Sequence, residues 1–181
     1  MADFETAIAV VLEHEGGVGN LRGDPGGETC FGWSSAECER WGIPLPRTPQ
    51  EATTLYELHF WNPLYEQILS QTVATKIMDD CVNQGPEAGT HNLQAALCAA
   101  GSIVERDGIF GPATLTATNL VPEKLLLPWM RLIQYQSYEK WIGSDPEREK
   151  LRKGMANRAA WPDPDGTIAL ALMAGTYNVT Q

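Results

Sequence analysis

In FETAIAVVLEHEGGVGNLRGDPGGETCFGWS, residues 4–34, a helical pattern gives way to a glycine-rich one at a single glutamate. Phe4, Ile8 and Val11 recur at helical spacing, and the same stripe continued by four residues reaches Glu15, immediately before Gly16 and Gly17. Asp3 is placed to cap the start of this helix, and the double glycine is what a helix C-terminus uses to turn the backbone. Residues 16–34 hold seven glycines and one proline with no helical period, so they read as a folded loop or short hairpin. Loops of that length usually carry function. Glu15 therefore stands at a helix exit. Desolvation on an apolar stripe disfavours its ionised form, and the negative end of the helix dipole disfavours it further. An unpaired, protonated carboxyl facing a groove is the expectation.

Outward from this stretch the chain reads as further helices. Ser35 to Gly42 is short and closed by glycine, and a second segment opens near Pro49, with Glu51 in its first turn, and runs to about Phe60. Ser70 to Val82 carries the stripe Val73, Ile77, Cys81 and the adjacent acids Asp79 and Asp80. Ala88 to Ala100 follows, then a turn at Asp107-Gly108 and a helix from Gly111-Pro112 through Asn119. A long helix after Pro122 extends to about Ile142 despite Pro128, and residues 145–160 make a charged one. No strand pattern stands out beyond the glycine loop. The fold class expected is mainly α, with a short loop or hairpin after the first helix.

A chain of 181 residues holds one ordinary domain, with room for a small annex. Its longest apolar stretch, around Ile168 to Ala174, is far below the roughly 20 residues that cross a bilayer. The N-terminus has acids where a secretory signal has bases, so synthesis in the cytoplasm is expected. A formal net charge of −10 argues against nucleic acid, whose binding depends on cationic side chains. The charge is uneven: residues 1–60 hold ten acids and three bases, whereas residues 120–160 hold five acids and eight bases, a face suited to an anionic polymer or simply a solvated helix. Cys30, Cys38, Cys81 and Cys98 form no C-x-x-C pair, and no histidine stands at metal-ligand spacing, so neither zinc nor any other metal is expected. Free thiols suit a cytoplasmic chain, with pairing after export left open.

Glycosidic cleavage needs a protonated carboxyl beside the leaving oxygen and a second group that handles water or stabilises the oxocarbenium-like transition state. Glu15 fits the first role, and Asp24 and Thr29 follow it within the glycine-rich loop. The strings EHEGG, DPGGET and FGWS resemble the EGG, DPGG-T and FGI segments of glycoside hydrolase family 108, bacteriophage-type muramidases historically labelled secretion activators. FWNPL resembles that family's YW-PL segment and IMDDCVNQGP its F-D-VN-GP segment. NLQAALCAAG with DGIFGPAT is similar to a helical peptidoglycan-binding module, and YEKW and GMANRAAW resemble the family's closing helices. Val18 and Cys30 depart from the tyrosine and asparagine common at those places.

The resemblance implies a lysozyme-like lobe over residues 1–81, a peptidoglycan-binding-like helical subdomain over 82–120, closing helices over 121–161 and a tail over 162–181. It implies a peptidoglycan hydrolase cutting the β-1,4 bond between N-acetylmuramic acid and N-acetylglucosamine, with Glu15 as general acid and no metal or organic cofactor. Asp24 and Thr29 would position water or support positive charge, although a D-P-G-G turn equally explains Asp24 as a backbone partner. Trp33, Asp79, Asn83 and Gln94 would line the sugar groove, against an alternative in which Asp79, Asn83 and Gln94 cap and bridge helices. Trp33, Trp61 and Tyr65 read as sugar platforms or, more often for such spacings, as core. The partner implied is the peptidoglycan glycan strand, met by a monomer in the periplasm or wall after holin-type or other release. Two rivals stay open: a lytic transglycosylase on the same bond, and a non-catalytic wall-binding or secretion-assisting protein.

Overall fold

The computed structural model describes residues 1–15 and 28–180. Within them nine α-helices and one two-stranded hairpin form the chain, in agreement with the mainly α expectation. Helix α1 spans Phe4–Glu15 and is capped as expected, Asp3 Oδ2 accepting from Thr6 N at 3.0 Å. Strands β1 (Thr29–Cys30) and β2 (Trp33–Ser34) pair antiparallel, Thr29 opposite Ser34 and Cys30 opposite Trp33. Their two-residue turn needs positive φ at both positions, and Phe31 and Gly32 adopt 52° and 85°. Helices α2 (Ser35–Trp41) and α3 (Pro49–Phe60) begin at side-chain caps from Ser34 and Thr48, and α2 ends on Gly42.

Helix α4 (Gln71–Gln84), capped by Ser70, is the centre of the molecule, because every residue from Val73 to Cys81 is buried. One side of it meets the stripe Phe4, Ala7, Ile8 and Val11 of α1. The other meets α5 (Pro86–Ala99) at a close approach: a Cβ on Gly89 would stand 2.7 Å from Cys81 N and Sγ, so only glycine lets the two helices touch there. Helix α6 (Pro112–Leu120) follows the Asp107-Gly108 turn, and α7 (Glu123–Gly143), with Pro128 inside it, packs on α5 and on α8 (Arg152–Ala160). The charged segment expected over 145–160 is a 3-10 turn at Pro146–Leu151 followed by α8. The tail folds as α9 (Thr167–Met173), whose Ala169 and Leu172 join Tyr135, Tyr138, Ala156, Ala159 and Ala160 in a second small core. Its apolar run packs on the body. No helix among the described residues is long and apolar enough to cross a membrane.

The polar side of α4 is as buried as the apolar one, and each polar group there has a partner, as burial demands. Lys76 Nζ donates to the carbonyls of Arg158 and Ala159 at 2.8 and 2.6 Å. Asp80 accepts from Gln84 Nε2 at 2.6 Å and Asn92 Nδ2 at 3.0 Å. Of the cysteines, Cys38 and Cys81 are buried, Cys30 is half-buried and Cys98 exposed, all as free thiols.

Candidate active site

Glu15 ends α1 beside the tip of the hairpin, and the approach is tight. A Cβ on Gly32 would lie 2.3 Å from Tyr56 Oη and 3.1 Å from Glu15 Cγ and Oε2. Glycine is thus required twice over, by the positive φ and by the space. Tyr56, on α3, donates from its hydroxyl to Phe31 O at 2.9 Å, which ties the hairpin to the helix behind it. Between these elements lies a cleft of about 200 Å³, lined by Glu15, Gly32, Glu37, Tyr56, Val82 and Asn83 together with Trp33 and Phe60.

The cleft contains a second carboxyl. Glu37 lies in the first turn of α2, where its N–H donates to Ser34 Oγ at 3.2 Å. Burial raises the Glu37 carboxyl above its ordinary range, Arg40 opposes that rise, and the neighbouring Glu15 adds to it. The Tyr56 phenol is pushed up by burial and then by Glu15 and Glu37, so it stays an O–H donor at any ordinary pH. Nothing in the sequence marked Glu37 beyond its place three residues after a helix-capping serine.

On its other side Glu15 meets Arg158 of α8, Nη1 to Oε1 at 2.8 Å. The same guanidinium clasps Asp79 of α4, with Nη2–Oδ1 at 2.9 Å and Nε to Oδ1 and Oδ2 at 3.0 and 3.1 Å. His14 Nδ1 lies 2.8 Å from Asp79 Oδ1. The unpaired Glu15 carboxyl expected from the sequence is therefore corrected, because a cation more than a hundred residues away packs against it. The pairing is unequal. The Asp79 side chain is 1% exposed and that of Glu15 20%, so Asp79 holds the buried face of Arg158 and Glu15 touches it from the cleft. Burial works to raise the Asp79 carboxyl, but Arg158 and His14 outweigh it and hold it below the usual range. Asp79 thus stays ionised and balances the arginine.

Several further expectations are corrected. Asp79 lines no groove; it anchors Arg158. Gln94 is fully buried, its Nε2 donating to Asp107 Oδ1 at 2.7 Å and its Oε1 accepting from Gly108 N at 2.9 Å, with Ile109 O and Thr114 Oγ1 each 3.2 Å from Nε2. It knits the DGIFGPAT turn to α5, which leaves no atom for a sugar. Trp33 is 1% exposed and packs against Tyr56, His59 and Phe60 at 5.2, 6.0 and 5.8 Å between ring centroids, so it offers no stacking face. Trp61 and Tyr65 are likewise core. Thr29 sits in β1 opposite Ser34 and is not among the residues walling the cleft. Asn83 stands on the cleft wall with Glu15. Asp24 and Val18 lie outside the described residues.

Residues 8–85 match the family described as Glycosyl hydrolase 108, and residues 88–160 match the one described as Predicted Peptidoglycan domain. The two matches meet at the junction of α4 and α5. No curated protein matches the sequence. Among solved structures the chain is similar to Brucella abortus SagA, at 22% identity over 98% of this chain and 98% of that one, with a TM-score of 0.67. At that identity the likeness speaks for the fold, a mainly α, lysozyme-like one. The paired family matches give the chain a role in binding or hydrolysing peptidoglycan. The sequence thus matches the glycosyl hydrolase 108 family over residues 8–85 and the peptidoglycan domain over residues 88–160, in that order.

Proposed function

We propose that the protein is an N-acetylmuramidase that cleaves the β-1,4 bond between N-acetylmuramic acid and N-acetylglucosamine, with Glu15 as general acid. The observation that carries this reading is the meeting of two carboxyls, Glu15 and Glu37, on one small cleft at the exit of α1. Glycoside cleavage uses such a pair, one carboxyl giving a proton to the leaving oxygen while a second group faces the developing positive charge or the water that quenches it. Glu37 is the candidate for the second task, and Asp24, which lies outside the described residues, is the further one. Thr29 is left with a structural part in the hairpin.

Arg158 shapes how Glu15 acts. Its charge is shared with Asp79, and the contact with Glu15 fixes the direction of the carboxyl at the cleft. A glycan strand in the cleft would displace water from both carboxyls and add to the burial that already raises Glu37. The protein would meet its substrate in the periplasm or wall after holin-type or other release.

The test is digestion of purified peptidoglycan by wild type and Glu15→Gln, with products identified by mass. Wild type is expected to release muropeptides with hydrated muramic ends, and the variant to release fewer by a factor of at least about a hundred, the scale on which an acid catalyst contributes. Equal release would end the assignment of Glu15. Muramic ends lighter by one water would instead identify a lytic transglycosylase, and binding without release by wild type would identify a wall-binding protein.

A further inference from the structure

The cleft does not end at Asn83. That residue also borders a hollow of about 610 Å³ formed with Gln84, Ser137, Tyr138, Lys140, Trp141 and Met155. Gln84, Ser137 and Lys140 in turn border a trough of about 940 Å³ between α5 and α7 that reaches His91 and Arg106. Three depressions that share walls in this way form one track leading away from Glu15.

The floor of the track is already fixed. Ser137 Oγ donates to Gln84 Oε1 at 2.6 Å, and Gln84 Nε2 and Asn92 Nδ2 both bond the buried Asp80 carboxyl. A surface held like this loses little side-chain freedom when a ligand settles on it. In the hollow, Trp141 is 43% exposed while the Arg148 guanidinium rests 4.2 Å from its ring centroid, which steadies an apolar surface of the kind sugars stack on.

The charge of the track opposes that of the molecule. Lys140 from α7 and Arg106 from the segment after α5 both line the trough, with Arg106 Nη2 3.5 Å from His91 Nδ1 and Glu87 as the sole acid on its walls. Among the described residues neither cation has an ion-pair partner. On a chain of net charge −10 an anionic ligand is repelled from most of the surface and drawn to such a place.

We propose that this track binds the anionic peptide stem borne by the glycan strand, with Lys140 and Arg106 pairing its carboxylates and Trp141 underlying the adjoining sugar. The proposal rests on the muramidase reading and deepens it: the cleft handles the glycosidic bond, while the trough selects strands that carry peptide.

The experiment measures binding of a soluble disaccharide tetrapeptide, and of the same disaccharide without peptide, to wild type and to Arg106→Glu/Lys140→Glu by calorimetry at low and physiological salt. Reversing two solvent-facing charges should weaken the peptide-bearing ligand about tenfold at low salt, less at physiological salt, and leave the peptide-free one unchanged. The neutral pair Arg106→Gln/Lys140→Gln should fall between. An equal loss for both ligands, no loss for either, or no binding of the peptide-bearing ligand by wild type would overturn the proposal. Fragment release is read separately: Glu15→Gln as active as wild type removes the muramidase reading, whatever the trough binds.

Discussion

Replacing Arg158 by Met tests the junction on which the site is built. Methionine keeps much of the apolar stem and removes the guanidinium, so Asp79, with its side chain 1% exposed, loses contacts at 2.9, 3.0 and 3.1 Å. Stranding one partner of a buried ion pair costs about 3–5 kcal/mol. For a chain of this size 1 kcal/mol is about 2–4 °C, so the melting temperature should fall by roughly 6–20 °C. His14 remains beside Asp79, and the Lys76 bonds go to backbone carbonyls that the substitution leaves in place, so the loss should lie in the lower half of that range. The decisive assay is a double-mutant cycle in urea. Asp79→Asn/Arg158→Met removes both charges of the pair, leaves the buried Lys76 facing Asp80, and should be more stable than Arg158→Met alone by about 2 kcal/mol. Muropeptide release should fall in both variants, because Glu15 has lost the group that directs it. A single variant within 1 kcal/mol of wild type, or a double variant no better than the single, would refute the anchoring role of Asp79.

The acid limb of stability should carry the same signature: the Asp79 carboxyl is held below its ordinary 3.8, so its contribution is complete above that value and is lost as pH falls through the folded value. Urea unfolding should therefore show a shallower decline below about pH 4 in Asp79→Asn than in wild type. Gly32→Ala puts a side chain at φ 85° and a Cβ 2.3 Å from Tyr56 Oη, which should cost at least about 1–2 kcal/mol and depress muropeptide release. Adding Tyr56→Phe should relieve the clash with the hydroxyl but leave the backbone cost, the 3.1 Å crowding against Glu15 and the lost bond to Phe31 O, so release should recover only in part. Gln94→Leu leaves Gly108 N without its acceptor and should cost about 1–3 kcal/mol in thermal unfolding.

What the sequence determined by itself is what short-range physics writes into a chain. Phe4, Ile8 and Val11 place one face of α1, Asp3 and Ser70 begin helices by bonding N–H groups three residues on, and proline and glycine bound α3 and α2. Each is decided within a turn or two of backbone, so helix positions, the mainly α class and the delivery of Glu15 to a helix exit were legible without a tertiary contact. Tertiary structure alone decided which polar side chains face the cleft. Asp79 and Asn83 share α4, yet one is buried under Arg158, 79 residues away, and the other walls the cleft. Gln94 is spent on a turn 13 to 20 residues distant, Glu37 comes to share a cleft with Glu15, and Glu15 acquires a cation from α8. The reason is that an isolated carboxyl or amide has no preferred depth; its burial is settled by whichever distant group can satisfy it, and only packing brings that group into reach.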